Sequence, residues 1–503
     1  MIALSVAEVA TITGARLDQA TDPEAIVRGP VVIDSRRVRP GSLFAALAGE
    51  RADGHDFAAA AAEAGAVAVL GSRPVRAAGV PTLIVPDVAA ALARLARYVA
   101  ERLSGASPAG TGTVGEGTAG ERTAGTGPRG LTIVGITGSA GKTTTKDLTA
   151  QVTERLGPTV APEGSFNNEI GHPLTVLRAD ERTRYLVLEL SARGAGHIAA
   201  LCEIARPRLG AVLNVGRAHL GEFRTREAVA QAKGELPEAL PAGGTAVLNA
   251  DDPLTAAMAE RTAARVVTFG RSAGAGVRAE DVRCDPQGRP AFTLVTGSGG
   301  AAVGAAAAPV RLNFTGEHNV SNALAAAALA AELGMDTAAI ADALSAAAPR
   351  SKWRMEVADR ADGITVINDA YNASPEAMAS ALRTLAVMAG GGARQRPRRT
   401  FAVLGYMAEL GGHSAELHRE AGALAARTGV SGLIVVGDAA APMLDGAKAQ
   451  QEWNGELVHV PDPGAAVEAL SHRLAPGDIV LVKASRAAGL ERVAVPLLDG
   501  GAG

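Results

Sequence analysis

The sequence has little cysteine, few aromatic residues and almost no excess charge. Its only cysteines, Cys202 and Cys284, can build neither a disulfide framework nor a four-cysteine metal site. Aromatic residues make up 3% of the chain, which argues against a base-stacking platform or an aromatic sugar-binding cleft. The 49 Lys and Arg residues nearly balance the 52 Asp and Glu residues, for a net charge of -3. We therefore expect neither a nucleic acid nor a membrane surface as a partner.

Long apolar runs are also missing, and the N-terminal segment does not have the pattern expected of a secretory leader. No stretch of about 18 apolar residues is free of charges or glycine breaks, so no membrane span is expected. The N-terminus carries Glu8 early and has neither a basic region nor a clean apolar core, so no signal peptide is expected. The 503 residues are too many for one ordinary domain, and 47% of them are hydrophobic. The sequence predicts a cytoplasmic multidomain protein with cores rich in Ala, Val and Leu.

A compositional break divides the chain after its first hundred residues. Residues 104–130 are rich in Gly, Thr, Ala and Ser and show no apolar periodicity. Such a segment cannot bury enough surface to offset its ordering entropy, so we predict a flexible linker. The preceding domain, residues 1–103, has short apolar runs and a helix-like run that Asp87 can cap, which predicts a small α/β fold. Its predicted strands are 31–34, 42–47, 66–70 and 82–85.

The remainder of the chain indicates two larger α/β domains. In residues 131–350, apolar runs alternate with helix-like segments, which is typical of a mostly parallel, doubly wound sheet. Residues 271–315 alternate polar and apolar positions and predict an antiparallel β insertion, followed by a helical run from Asn319 to about Arg350. Residues 351–503 repeat the alternation and predict a second α/β sheet, with a Gly- and Arg-rich loop at 390–399. The predicted strands are 131–138, 185–190, 209–215, 244–250, 265–270, 364–369, 400–405, 432–437 and 478–483.

The strongest local signal is the segment GITGSAGKTTT at residues 135–145, between an apolar strand and a helix. Successive backbone amides of such a loop, with the positive end of the helix dipole, can bind phosphate oxygens. The strict P-loop spacing fails, and the pattern that matches is TGxxGKT at 137–143. Lys142 would reach the β- and γ-phosphates, and the Thr143 hydroxyl would bind Mg²⁺. The predicted nucleotide-binding loop consists of Thr137, Gly138, Ser139, Ala140, Gly141, Lys142, Thr143 and Thr144.

Three further residues are candidate metal ligands, each with a simpler alternative. Glu189 ends a predicted parallel strand, where a carboxylate would lie beside the phosphate loop, but it can also be a surface glutamate. His219 follows the next strand, either as an imidazole ligand or as a helix-capping histidine. Lys233 lies on a predicted helix and, taken alone, is an ordinary surface lysine.

Asparagines and other polar residues gather where several predicted strands or helices meet. Asn249, in the segment NADDP, can contact a nucleotide or simply form a turn. Asn319 and Asn322, in GEHNVSN, lie on one helix face and can equally form an N-cap cluster. In the last domain, polar clusters at 368–375, 403–411 and 483–486 follow strands, which is where ligands bind in open α/β sheets, although each can be a structural turn.

These motifs, taken in order, resemble those of one enzyme family. The order of the motifs is typical of the Mur ligases, the ATP-dependent amide-forming enzymes of peptidoglycan precursor synthesis. The motifs are TGSAGKTT, the strand-end Glu189, AHL, AKGEL, NADD, GEHNVSN and DAYNASP. The resemblance covers all three predicted domains. It is strongest to the members that add D-alanyl-D-alanine, because of DAYNASP, the VLGxMxELG segment and the N-terminal segment at 33–57. No DNPR-like motif, typical of the tripeptide-forming members, is found.

The resemblance implies a nucleotide-sugar-binding first domain, a central ATPase domain and a last domain like a dinucleotide-binding fold. It implies transfer of D-alanyl-D-alanine to a UDP-N-acetylmuramoyl-tripeptide, ending in diaminopimelate or lysine, through an acyl phosphate. It also implies two Mg²⁺ ions held by Thr143, Glu189, His219 and Lys233, with Lys233 carbamylated by CO₂ because a lysine cation would repel the metal. We expect a monomer that closes around its substrates. The remaining candidates are Asn249, Asn319, Arg354 and Asp369 for the nucleotide, Ser35 and Arg36 for the UDP end, and Asn372 and Ser374 for the dipeptide.

The sequence departs from the family pattern at two positions. Tyr406 stands where VLGDMxELG usually has aspartate, and Ala484 replaces the glycine of VKGSR, which requires a negative φ at that position. Two alternatives therefore remain open. One is another Mur-type or folylpolyglutamate-type ligase with a different amine acceptor, and the other is a non-catalytic relative that binds nucleotide. A plain P-loop kinase or GTPase is disfavoured because no guanine-reading NKxD motif follows.

Overall fold

The computed structural model describes residues 1–18, 22–49, 52–75, 78–105, 130–217, 220–223, 225–297, 305–390 and 397–499. Two compact units make up the structure. One unit comprises Met1–Gly135, Leu156–Ser191 and Ile198–Leu209, and the other comprises Ile136–Arg155, Ala192–His197 and Gly210–Gly503. The predicted linker lies largely outside the described residues, as does most of the predicted loop at 390–399. The three domain ranges remain predictions.

The N-terminal section forms the small α/β fold that the sequence predicts. Its elements are β1 (Leu4–Ser5), α1 (Val6–Thr13), β2 (Arg16–Leu17), β3 (Ile26–Val27), β4 (Val31–Val32), β5 (Ser42–Ala45), α2 (Ala58–Glu63), β6 (Ala66–Gly71), β7 (Thr82–Ile84) and α3 (Val88–Ser104). Strands β2-β7-β6-β5-β4 form a sheet in this order, in which only the β2–β7 pairing is antiparallel among the described residues. Strands β1 and β3 form a separate antiparallel pair.

Helix starts in this section follow capping rules. Asp87 caps α3 as predicted, since its Oδ1 accepts a hydrogen bond from the amide of Ala90 at 3.0 Å. Helix α1 was not predicted. The Ser5 hydroxyl accepts from the Glu8 amide at 3.1 Å, and Glu8 Oε2 accepts from the Ser5 amide at 2.7 Å. This reciprocal pair is a capping box, so Ser-x-x-Glu before an apolar run is the signal that identifies the helix.

The central section contains the predicted doubly wound sheet. Its elements are β8 (Thr132–Thr137), α4 (Lys142–Thr153), β9 (Thr159–Val160), α5 (Gly171–Val176), β10 (Tyr185–Glu189), α6 (His197–Ile204), β11 (Leu209–Val212), α7 (Leu220–Phe223), α8 (Arg226–Lys233), α9 (Glu235–Glu238), β12 (Thr245–Asn249), α10 (Pro253–Ala256), β13 (Arg265–Gly270), β14 (Val277–Cys284), β15 (Pro290–Thr296), β16 (Ala306–Arg311), α11 (Asn319–Glu332) and α12 (Thr337–Ala346). In the described part of the chain, the sheet order is β16-β15-β14-β13-β12-β11-β8-β10-β9.

The β insertion is confirmed, whereas the single helical run after it is wrong. Strands β14, β15 and β16 pair antiparallel, and β14 also pairs parallel with β13, so the insertion extends the central sheet. The predicted run from Asn319 to about Arg350 is two helices. The chain turns at Gly334, whose φ of 89° suits glycine. Asp336 then caps α12 by accepting a hydrogen bond from the Ala339 amide at 2.9 Å.

The C-terminal section is the second predicted α/β sheet. Its elements are β17 (Glu356–Asp359), β18 (Thr365–Asp369), α13 (Pro375–Ala389), β19 (Thr400–Leu404), α14 (Ser414–Arg427), β20 (Gly432–Val436), α15 (Pro442–Lys448), β21 (Glu456–Val460), α16 (Pro463–Ser471), β22 (Ile479–Lys483) and α17 (Glu491–Leu498). The sheet order is β17-β18-β22-β19-β20-β21, and all described pairings except β17–β18 are parallel. The edge strands β17 and β21 were not predicted.

Helices cover both faces of this second sheet. Ile479 and Leu481 pack in one buried cluster with α13, α14 and α15, whereas Val480 and Val482 pack in another with α16 and α17. Successive strand residues point to opposite faces, so a continuous apolar run is what a doubly covered strand needs. The arrangement is the Rossmann-like one that the sequence predicts. None of the described helices is both long enough and apolar enough to cross a membrane.

Candidate functional site

The glycine-rich loop joins β8 to α4, as the sequence predicts. Thr137 ends the strand, and Lys142 is the first residue of the helix. Gly141 has a φ of 85°, and a Cβ at this position would collide with Oδ1 of Asn322, so the loop needs glycine here. Lys142 Nζ donates to the carbonyl of Gly138 at 2.8 Å, which folds the side chain back over the loop. The predicted residues 137–144 therefore form one continuous loop and helix start.

Asn214, which lies just after β11, holds this loop in place through several hydrogen bonds. Its Oδ1 accepts from the Ala140 amide at 2.9 Å, and its Nδ2 donates to the Ala140 carbonyl at 3.1 Å. Its own carbonyl accepts from the Ser139 amide at 3.0 Å, and the Ser139 hydroxyl accepts from the Gly216 amide at 2.9 Å. The amides of Ser139 and Ala140 thus already have protein acceptors. Sequence reasoning missed Asn214, although it opens the NVGRAHL segment that supplied His219.

Lys233 lies at the end of α8 and is only 3% exposed. Burial, and then the positive charge of Lys142, lower the pKa of Lys233 well below 10.5. The two amines are therefore close enough for their charged forms to repel each other. The lowered pKa favours the neutral, nucleophilic form of this amine, and its burial distinguishes Lys233 from an ordinary surface lysine.

The GEHNVSN segment reaches the phosphate loop through Asn322. Asn319 Nδ2 donates to the Thr315 carbonyl at 2.9 Å, and Asn322 Nδ2 donates to Asn319 Oδ1 at 2.9 Å. Asn322 Oδ1 in turn accepts from the Thr145 hydroxyl on α4 at 3.3 Å. Asn319 and Asn322 are 3% and 5% exposed, and neither side chain caps α11. The two asparagines form a buried relay from α11 to the phosphate loop rather than an N-cap cluster.

Arg354 also reaches the phosphate loop, and it does so from the start of the C-terminal section. Its Nη2 donates to the hydroxyl of Thr143 at 3.0 Å. Its guanidinium carbon lies 4.3 Å from the centre of the Tyr371 ring. A cation and the predicted Mg²⁺-binding hydroxyl are thus brought together. This contact places Arg354, a predicted nucleotide contact, at the mouth of the loop.

Asp369 and Lys483 form a buried ion pair at the ends of β18 and β22. Lys483 Nζ lies 2.6 Å from Asp369 Oδ2 and also donates to the Asn372 carbonyl at 2.8 Å. The other oxygen of Asp369 accepts from the Met355 amide at 3.1 Å. Both charges are therefore compensated, which a buried pair requires. Sequence reasoning singled out the segment of Lys483 but did not assign this lysine to the site.

His318 is a second residue of the site that sequence reasoning left unassigned. Its ring packs over Gly316, where a Cβ would collide with Cε1. The ring keeps solvent-exposed surface, yet desolvation lowers its pKa below 6.5, and Lys483 lowers it further while Asp369 raises it. His318 thus lies beside the Asp369–Lys483 pair, and its lowered pKa favours the neutral imidazole. Its position in GEHNVSN was the available signal.

Asn249 and Glu189 lie where their strands end, with protein partners of their own. Asn249 Nδ2 donates to the Leu213 carbonyl at 2.8 Å, and its Oδ1 accepts from the Asp251 amide at 2.9 Å. Glu189 is 1% exposed and accepts from Asn167 Nδ2 at 2.6 Å. Glu189 is therefore not a surface glutamate. It belongs to the unit that contains the N-terminal section, and Asn249 belongs to the other unit.

The metal-ligand predictions are only partly described by the structure. Among the described residues, no group of three His, Cys, Asp or Glu side chains could hold a metal ion. His219 lies outside the described residues. The predicted ligand set also contains a hydroxyl, on Thr143, and a modified lysine, Lys233, which belong to neither the acids, the histidines nor the cysteines. The assignments to Thr143, Glu189, His219 and Lys233 remain predictions.

Ser35 and Arg36 lie in the unit that contains the N-terminal section. They form a short 3₁₀ turn that Asp34 caps, and Arg36 pairs with the same carboxylate at 2.8 Å. The Arg36 hydrogen bond lowers the pKa of Asp34 to about 2. Arg36 is 87% exposed, so this pair is open to solvent. Its guanidinium already has a carboxylate partner, and its role at a UDP end stays a prediction.

Asn372 and Ser374 follow β18. Asn372 is exposed, whereas the buried Ser374 hydroxyl caps α13 by accepting from the Ala377 amide at 3.3 Å. The Tyr406 carbonyl accepts from the Ser485 amide at 3.0 Å, so the segments at 403–411 and 483–486 lie side by side. Ala484 is buried without a positive φ, as expected. The three polar clusters thus gather at the ends of neighbouring strands β18, β22 and β19.

Comparisons with known proteins agree on one family. Three family models match the chain: the "Mur ligase family, catalytic domain" at residues 30–99, the "Mur ligase middle domain" at 136–330, and the "Mur ligase, glutamate ligase domain" at 353–486. The UDP-N-acetylmuramoyl-tripeptide--D-alanyl-D-alanine ligase of Mycobacterium bovis is 49% identical over 99% of this chain and 98% of its own length.

Solved structures give the same picture. MurF from Acinetobacter baumannii has a TM-score of 0.80 at 29% identity and covers 99% of both chains. MurF from Thermotoga maritima, solved in complex with ADP, has a TM-score of 0.74 at 28% identity and covers 94% of this chain and 98% of that one. The three-domain α/β architecture is therefore shared along almost the whole chain.

Proposed function

This chain belongs to the Mur ligase family, and we propose that it uses ATP to join D-alanyl-D-alanine to UDP-N-acetylmuramoyl-tripeptide in peptidoglycan precursor synthesis. The observation that carries the proposal is the 49% identity, over nearly the full length of both proteins, to a relative named for this reaction. The site geometry agrees with it, because a phosphate-binding loop, two lysines and an arginine meet in one unit of the structure. We expect the protein to act in the cytoplasm and as a monomer.

ATP would bind at the loop between β8 and α4. Lys142 and Arg354 supply two positive charges beside that loop, and phosphoryl transfer depends mainly on positioning and electrostatic stabilisation. His318, Asn319 and the Asp369–Lys483 pair lie in the same unit and are the groups that we assign to the base and ribose. Asn249 would act on the nucleotide indirectly, since its amide supports the segment after β11. The ADP complex of the Thermotoga relative supports a nucleotide site in this fold.

The reaction would proceed in two steps. A carboxylate oxygen of the tripeptide attacks the γ-phosphorus, the bond from that phosphorus to the bridging oxygen breaks, and ADP leaves with the electron pair. The amine of D-alanyl-D-alanine then attacks the acyl carbon and loses a proton, and phosphate leaves with the former carboxylate oxygen. Phosphorylation is required because oxide is a poor leaving group. Lys142 and Arg354 would stabilise the charge that develops on the transferring group.

Lys233 would be carbamylated. Its buried amine has a lowered pKa, which favours the neutral form that attacks CO₂. A nitrogen–carbon bond forms and one proton is released, which converts an amine whose protonated form repels Lys142 into an anion that attracts it. The modification would therefore remove the unfavourable pairing of two amines beside the phosphate loop.

Two Mg²⁺ ions fit this donor chemistry. The Thr143 hydroxyl and a carbamate on Lys233 are hard oxygen donors of the kind that Mg²⁺ prefers, whereas an unmodified ammonium is not. Glu189 and His219 are the further ligands that the family resemblance assigns. When bound, the ions would neutralise charge on the triphosphate. The chain's own contribution is to hold Thr143 next to Arg354.

The peptide substrates would bind at the outer segments. We assign Ser35 and Arg36 to the UDP end, and Asn372 and Ser374 to the dipeptide. Asn372 is exposed at the end of β18, beside the backbone carbonyl that Lys483 binds. Ser374 would act mainly by capping α13, since its hydroxyl already accepts from that helix.

A substrate panel tests the proposal. The protein is mixed with ATP and UDP-N-acetylmuramoyl-tripeptide, and phosphate release is measured with D-alanyl-D-alanine or with single amino acids. We expect turnover with the dipeptide and none with D-alanine, D-glutamate or L-lysine. Strong turnover with a single amino acid and none with the dipeptide would assign the chain to a different member of the family. ATP binding without turnover on any acceptor would favour a non-catalytic relative.

A further inference from the structure

Arg354 lies between two residues with a left-handed backbone. Trp353 has a φ of 58° and Met355 a φ of 49°, and in the described part of the chain only Asp281 and Glu409 are other non-glycine residues with a positive φ. Bulky L-residues rarely adopt this conformation, and it persists only where surrounding contacts hold it. The strain is therefore concentrated on both sides of a single arginine.

Backbone contacts fix the ends of this turn. The Trp353 carbonyl accepts from the Tyr371 amide at 3.3 Å, and the Trp353 amide donates to Glu356 Oε2 at 3.2 Å. The Met355 amide donates to Asp369 Oδ1 at 3.1 Å. These bonds tie the turn to the end of β18, but none of them holds the Trp353 side chain.

The Trp353 side chain is held by Arg486. The guanidinium carbon of Arg486 lies 4.2 Å from the centre of the Trp353 ring, within the range of a cation–π contact. Arg486 Nη1 also lies 2.8 Å from Glu491 Oε1, which orients the guanidinium over the ring. Trp353 is half-buried, and half of the Arg486 side chain is exposed. A pair this open adds little to a core, so its main effect is on the shape of the turn.

We propose that Trp353 and Arg486 are positioning residues whose stack holds the left-handed turn and so aims Arg354 at the phosphate loop. Arg354 then lies 3.0 Å from the Thr143 hydroxyl and over the Tyr371 ring. Without the stack, the turn relaxes toward ordinary φ values and the guanidinium leaves the loop. The inference rests on the proposed function only in assigning Arg354 to the ATP phosphates.

Double-variant kinetics test this positioning role. We expect Arg486→Gln to lower kcat/KM for ATP about tenfold, through the lost cation–π contact. Trp353→Ala should do at least as much, and Trp353→Tyr, which keeps a ring, should restore most of the loss. Adding Arg486→Gln to Arg354→Ala should cause no further loss, because both act through one guanidinium. KM for the UDP-tripeptide should stay unchanged.

Arg399→Gln is the matched control, since Arg399 lies over Phe401 at 5.5 Å in the same section and does not contact the loop. It should alter thermal stability without changing the ATP kinetics. Losses that multiply in the Arg354/Arg486 double variant, or an unchanged ATP kcat/KM in Arg486→Gln, would overturn the proposal. If Trp353→Ala does not fold, Arg486→Gln and Trp353→Tyr decide the question.

Fluorescence tests the same role without ligation. The chain has 2 tryptophans, so Trp453→Phe leaves Trp353 as the single emitter. We expect ATP to change its emission as Arg354 shifts from Thr143 to the triphosphate, and Arg486→Gln to reduce that response. A response without any ligated product would reject the proposed function and keep the positioning role. If the enzyme ligates but its Trp353 emission is the same with and without saturating ATP, the positioning role alone is rejected.

Discussion

Asn214 offers a sharp test of how the phosphate loop is held. Asn214→Ala removes the bond from Nδ2 to the Ala140 carbonyl at 3.1 Å and the bond from the Ala140 amide to Oδ1 at 2.9 Å. Each bond contributes about 1 kcal/mol net, so the loop conformation that binds ATP is destabilised by about 2 kcal/mol. That loss corresponds to about thirtyfold in an equilibrium constant. We expect KM for ATP to rise by about this factor, with the KM for the UDP-tripeptide unchanged.

A matched asparagine provides the control. Asn313 Nδ2 donates to the carbonyls of Ser345 at 2.8 Å and Ala347 at 3.1 Å, and it makes no contact with the loop. Asn313→Ala should lower the melting temperature without changing KM for ATP. Asn214→Asp keeps an acceptor but adds negative charge beside the triphosphate, so it should impair ATP binding at least as much as alanine. A wild-type KM for ATP in Asn214→Ala, or an equal rise in Asn313→Ala, would refute the reasoning.

Three further outcomes are expected. Lys142→Ala and Lys233→Ala should each abolish ligation, and wild-type activity should depend on CO₂; full, CO₂-independent activity of Lys233→Ala would remove the carbamate. Gly141→Ala should abolish ATP binding in isothermal titration, because its Cβ would collide with Asn322 and its φ is 85°; normal binding would show that the loop has another conformation. Burial lowers the pKa of His172 from 6.5 to about 4, so protonation favours the unfolded chain. The free energy of unfolding should therefore fall by about 3 kcal/mol as pH drops from 6.5 to 4, and His172→Leu should lack that component in denaturant titrations at both pH values.

The sequence predicted those parts of the fold whose signals are local. Strands such as β8, β12 and β22 are buried on both faces and therefore appear as continuous apolar runs. The edge strands β17 and β21 are partly exposed and lack such runs, so they were missed. Helix α1 was missed even though its capping box is visible in the sequence. The break at Gly334 was overlooked because both flanking segments are rich in alanine.

Site residues were likewise predicted where their signal is local and missed where it is not. Lys142 and Thr143 stand in a contiguous motif, and the sequence places both correctly at the start of α4. Asn214 acts on a loop 74 residues away, and Lys483 pairs with an aspartate 114 residues away, so spacing along the chain does not connect them. The left-handed turn at Trp353 is a property of backbone angles that residue type does not suggest. Partners brought together only by folding are thus what the sequence alone could not provide.

Isotope transfer tests most directly whether the acid is energised by phosphorylation. UDP-N-acetylmuramoyl-tripeptide labelled with ¹⁸O in its terminal carboxylate is incubated with ATP, D-alanyl-D-alanine and the protein, and the released phosphate is analysed by mass spectrometry. The acyl-phosphate route predicts one ¹⁸O atom in each phosphate and the other in the new amide. Ligated product accompanied by unlabelled phosphate would contradict it.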